Sequence, residues 1–67
     1  MTTPKYPNVV VQLTGNDGNA FSILGIVQRA MRRAHVPADD IAAYRTEAMS
    51  GDYDNLLRVT MEWVDVL

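Results

Sequence analysis

Asn8-Val9-Val10-Val11-Gln12-Leu13-Thr14 is the stretch that decides the fold. Three consecutive valines followed by a leucine suit a pleated, half-buried backbone. Successive side chains of an extended chain point to opposite faces. Val9, Val11 and Leu13 therefore share one face, and Val10, Gln12 and Thr14 the other. The first face is wholly apolar and is the predicted core face. Upstream, Pro4 and Pro7 fix their own φ and restrict the residue before them, so residues 1–7 are expected to be extended or disordered. A single domain is expected over residues 8–67.

Downstream the period changes. Gly15-Asn16-Asp17-Gly18-Asn19 is a turn by composition, and Asn19 or Asp17 can cap a helix by accepting one of its orphan N–H groups. The predicted first helix covers residues 20–35. Ala20, Ile23, Leu24, Val27, Ala30, Met31 and Ala34 recur at the helical spacing, with Phe21 expected to pack on the strand. Ser22, Gly25, Arg29, Arg32 and Arg33 lie opposite. A mid-helix glycine costs about 1 kcal/mol relative to alanine, so Gly25 predicts a close approach by another backbone.

Val36-Pro37 breaks this helix. Proline suits the first turn of a new one, and Asp39 and Asp40 suit its positive N-terminal end. The second helix is predicted over residues 37–49, with Ile41, Tyr44, Ala48 and Met49 facing inward. Ser50-Gly51 predicts its stop, with glycine as a left-handed cap. Asp52 can cap a third helix over residues 53–61, with Leu56, Leu57, Thr60 and Met61 as the buried stripe. Residues 63–67 alternate again, placing a second strand beside the first; a helix continuing to Val64 is the alternative. The expected fold class is α+β, ordered β-α-α-α-β, a two-stranded sheet packed on helices.

Composition narrows the function. A chain of 67 residues makes one domain and buries only about 60% of its unfolded surface. Without cysteine it has neither disulfides nor a cysteine-bearing zinc site. An efficient apolar core or self-association must supply stability. No apolar run approaches the ~20 residues of a membrane helix, and the first residues lack the apolar stretch of a signal peptide. A cytoplasmic location without membrane contact is expected. The net charge of −2 hides an asymmetry, +3 over residues 1–35 and −5 over residues 36–67. These are two solvated faces, or halves that attract each other within the fold or across a dimer.

The segments Asp17-Gly18-Asn19-Ala20-Phe21 and Ser50-Gly51-Asp52-Tyr53-Asp54-Asn55-Leu56-Leu57, with Arg29-Ala30-Met31-Arg32-Arg33-Ala34-His35 between them, are distinctive as a set. Over residues 11–66 the chain resembles a family of small hypothetical proteins of bacteriophages and bacteria, actinobacteria included. The resemblance implies a phage or prophage setting and host cytoplasm. It brings no catalytic or binding residue with it.

Each candidate for chemistry has a plainer explanation. The glycines at 15 and 18 precede a helix, as in phosphate loops. The lysine of the Walker pattern and the third glycine of the dinucleotide fingerprint are missing, and Asp17 repels anions. Gly15, Asp17, Gly18, Asn19, Asp52 and Tyr53 are therefore expected to be structural, with Asp17 and Asn19 bonded to the segment at Asp52 and Tyr53. Asn16, Asp17, Asn19, Asp52, Asp54 and Asn55 offer oxygen ligands, but a calcium loop also needs a glutamate at its twelfth position. Asp39, Asp40, Asp52 and Asp54 sit where helix N-termini are expected, and His35 sits where a helix should end. No catalytic residue, metal or cofactor is expected.

Arg29, Arg32 and Arg33 are three and four residues apart on one helix. They suit phosphates, a solvated face, or ion pairs with Asp39, Asp40 or Glu47. The pI near 5.0 argues against a nucleic-acid domain. Trp63 is expected in the core beside Phe21, with Tyr44 and Tyr53 as further core aromatics or, at Tyr53 and Trp63, a partner hot spot. The expected function is a non-catalytic protein-interaction module, a homodimer or a binder of another protein through Gly25, Arg29, Arg32 and Arg33. The alternative is a nucleic-acid accessory protein using the same arginines.

Overall fold

The valine run forms a strand, β1 (Tyr6–Val11), with Val9 and Val11 buried and Val10 between them 48% exposed. The computed structural model describes residues 3–13 and 18–67; the expectations for Thr14, Gly15, Asn16 and Asp17 lie outside these. After β1 come α1 (Ala20–Arg33), α2 (Ala38–Ala48), α3 (Tyr53–Trp63) and β2 (Val64–Val66). The fold is α+β in the predicted order, a two-stranded sheet packed on helices.

The two strands run parallel, with Val11 opposite Val66 and Val10 opposite Asp65. Parallel neighbours need a crossover of a dozen residues or more, and the three helices are that crossover. β1 starts at Tyr6, earlier than the predicted Asn8. The register shifts between Tyr6 and Val10, so Pro7 lies in an irregular stretch, where a missing N–H is tolerated. Leu13, expected in the strand, lies beyond it but still packs against the core.

Helix α1 buries Ile23, Leu24, Val27 and Met31, the stripe its sequence predicts. It ends two residues earlier than predicted. His35, the one described non-glycine residue with positive φ (63°), takes the left-handed position after the helix. His35 N donates to Arg32 O at 3.1 Å and Val36 N to Met31 O at 3.0 Å. That pair of bonds is the Schellman stop, and buried Val36 against Met31 supplies its apolar contact. Pro37 then prevents continuation and caps α2 instead of lying inside it.

The left-handed cap predicted at Gly51 is not formed. Gly51 does not have positive φ, and α2 ends at Met49 with φ −92°. A Cβ on Gly51 would meet the Asn55 Cβ at 2.9 Å, so glycine is needed there for close approach. The backbone contact predicted at Gly25 is absent too, since an added Cβ meets nothing within 4 Å. Gly25→Ala is therefore expected to stabilise the protein by about 0.5–1 kcal/mol, read as a raised urea midpoint.

Helix α3 runs two residues past its predicted end. Its buried stripe becomes Leu56, Val59, Thr60 and Trp63, with Leu57 at the edge and Met61 56% exposed. Trp63 lies in the core without Phe21. Its ring stacks on Tyr6 at 6.2 Å between centroids and meets the edge of Tyr44 at 6.1 Å. Phe21 is 79% exposed.

Candidate functional site

The two distinctive sequence segments meet in space at one corner of the molecule. Helix α1 begins there with Asn19, whose side chain accepts from Ser22 N at 2.9 Å. Helix α3 begins there with Asp52, which accepts from Asn55 N at 3.0 Å. Both caps are those predicted. Among the described residues the two segments are joined by the Tyr53 hydroxyl, which donates to the Gly18 carbonyl; the join predicted at Asp17 lies outside the described residues. Asn55 ties the same corner to α2 by donating its side-chain amide to Glu47 O at 3.1 Å.

A dent of about 230 Å³ opens at this corner between the N-termini of α1 and α3 and the C-terminus of α2. Leu24, Ala48 and Leu56 form its buried part, and Phe21, Met49 and Tyr53 stand around it. Met49 and Tyr53 are 52% and 45% exposed, so Met49 is not the inward residue it was predicted to be. Phe21 lies about 100° around the helix from the buried stripe that includes Ala20. That position was the available signal that it faces outward.

The three predicted interface arginines are exposed and take two sides of α1. Arg29 and Arg33 border the outer edge of β1. Arg32 lines a broad groove of about 630 Å³ between α1 and α2, together with His35 and Arg45. The sequence gives no sign that Arg45 belongs with Arg32, because that depends on how the two helices dock. None of the three pairs with Asp39, Asp40 or Glu47 among the described residues. Asp40 is approached by Lys5 at 3.8 Å, and Arg58 by Glu62 at the same distance. Gly25 is partly buried on α1 and lines none of these grooves.

Two tyrosine hydroxyls have unusual surroundings. Tyr6 donates to the Asp40 carboxylate. That bond, with partial burial and the carboxylate's charge, holds the phenol above its usual pKa. Tyr44 is fully buried, and burial raises its pKa. Both phenols are thus held protonated as hydrogen-bond donors. A tyrosine base or nucleophile would need the opposite shift.

Among the described residues no group of three or more His, Cys, Asp or Glu side chains is placed to hold a metal ion. No described helix is long and apolar enough to cross a membrane. No family model matches the chain, and no curated protein or solved structure is detectably similar to it.

Proposed function

We propose that this chain is a small non-catalytic protein-interaction module that associates with a second copy of itself through the corner around Phe21. The observation that carries this reading is the pairing of a knob and a dent on one face. An exposed phenylalanine stands beside an apolar depression bordered by Met49 and Tyr53. A two-fold interface is self-complementary: each copy offers the feature the other receives. Phe21 of one copy fills the dent of its partner and its own dent is filled in return.

Size favours the same reading. An interface of about 1,000 Å² in total takes about 500 Å² from each copy, roughly one ninth of the 4424 Å² surface. A domain this small, without disulfides, gains stability from a partner. Aromatic residues at the centre of such a patch supply most of its energy. The phage or prophage setting implied by the sequence resemblance, with host cytoplasm as the location, suits such an accessory module.

The nucleic-acid alternative has less support, because Arg32 faces a different groove from Arg29 and Arg33 and the pI is about 5.0. Sedimentation velocity over a concentration series tests the proposal. The native chain is expected to move from monomer to dimer. Phe21→Asp is expected to stay monomeric with an unchanged circular dichroism spectrum, because an exposed side chain contributes little to folding. Dimerisation of the Phe21→Asp chain at the native concentration would contradict the proposal.

A further inference from the structure

We propose that the outer edge of β1 accepts an extended acidic segment of a partner protein as an added third strand, with Arg29 and Arg33 holding its carboxylates. Among the described residues the sheet has two strands, so β1 is paired there on one side only. Val11 turns its carbonyl to β2 and accepts from Leu67 N at 2.8 Å. Neighbouring residues of a strand direct their polar groups to opposite sides, so the N–H and C=O of Val10 face the outer edge. Such an edge is a ready template for another extended chain.

Helix α1 flanks this edge and runs antiparallel to β1. Ile26 and Arg29 lie beside Gln12, and Arg33 and Ala34 beside Asn8, with small grooves of about 180 and 280 Å³ between helix and strand. Arg29 and Arg33 are one turn apart, about 6 Å along the helix axis. Residues i and i+2 of a strand are about 6.6 Å apart and share a face. Two carboxylates at alternate positions of an added strand therefore match the two guanidinium groups. The intervening side chains fall on the other sheet face, beside Val10. That face also holds Asp65, the cross-strand neighbour of Val10, so apolar residues suit those positions better than acidic ones.

Charge selects this occupant over a second copy. Pairing two β1 edges would bring the Arg29 and Arg33 pairs of both copies together, and like charges at an interface disfavour that partner. The surface is separate from the Phe21 corner and does not depend on dimerisation there.

A fluorescein-labelled, end-capped peptide of alternating glutamate and valine is the probe, read by anisotropy. Three changes are each expected to weaken binding about tenfold or more: Arg29→Glu with Arg33→Glu, lysine in place of glutamate in the peptide, and N-methylation of alternate peptide amides. Phe21→Asp is expected to leave binding unchanged. The N-methylated peptide tests the backbone ladder on the native chain, whatever the arginine variant does to folding. Equal binding of the methylated and parent peptides, equal binding of the lysine peptide, absence of binding at millimolar peptide, or tighter binding of a single-stranded oligonucleotide at the same site would each overturn the proposal.

Discussion

Trp63→Ala is expected to destabilise the fold by about 3–5 kcal/mol, the largest loss from any single truncation in the core. Trp63 is 7% exposed, ends α3, and is followed directly by β2. One face of its ring stacks on Tyr6, its surroundings include the Tyr44 ring, and the Lys5 ammonium lies 4.7 Å from the ring centroid. Truncating a buried tryptophan costs about 3–5 kcal/mol. A domain of this length has about 3–10 kcal/mol in total. The melting temperature should fall by more than about 12 °C, since each kcal/mol shifts a domain of this size by about 4–8 °C. Met61→Ala is the matched control. Its exposed side chain should change stability by less than about 0.5 kcal/mol. Equal effects of the two substitutions would restore the buried stripe that spacing alone predicts.

The second large effect concerns the one buried polar residue among those described, Thr60. Its hydroxyl donates to the Leu56 carbonyl at 2.8 Å, and its oxygen lies 2.8 Å from the Tyr44 hydroxyl. Thr60 has a single hydroxyl proton, already given to Leu56, so Tyr44 must be the donor to Thr60. The order of donation makes the two deletions unequal. Tyr44→Phe removes one hydrogen bond and leaves Thr60 satisfied, at a cost of about 0.5–1.5 kcal/mol. Thr60→Val strands the Tyr44 hydroxyl in the core, at about 1–3 kcal/mol. Adding Tyr44→Phe to Thr60→Val should then recover part of the loss, a coupling visible in a double-mutant cycle from urea unfolding. Strict additivity of the two substitutions would contradict this hydrogen-bond chain.

Much of the fold is legible in the sequence because periodicity is a local signal. The alternation around Val10 and the 3.6-residue stripe from Ile23 to Met31 identify β1 and α1 directly. Element ends are harder to read, and the errors at α3 follow from one of them. A helix stopping at Met61 makes Met61 look like the last core position. Extending it to Trp63 sets the stripe at spacings of three, four and seven from Leu56, which puts Met61 about 140° away. Helix stops were misplaced for a related reason. Glycine at residue 51 is the obvious left-handed residue, but the backbone takes that conformation at His35, where the Val36 contact with Met31 and the following proline favour it.

The candidate site was less legible because it depends on tertiary docking. Phe21 is large and apolar, and size alone assigns it to the core. Its place beside Met49 and Tyr53 arises only when three helix ends meet. The parallel direction of β2, and with it the position of the open β1 edge beside Arg29 and Arg33, likewise has no signature in a strand of three residues.

A dilution series of ¹H–¹⁵N correlation spectra, from millimolar to micromolar protein, tests the central claim at residue resolution. Amide shifts of residues 20–24 and 49–53 are expected to move together with concentration and to follow one dimerisation curve, while the amides of β1 stay fixed. Spectra that do not change with concentration, or changes confined to β1 or to the groove around Arg32 and Arg45, would contradict it.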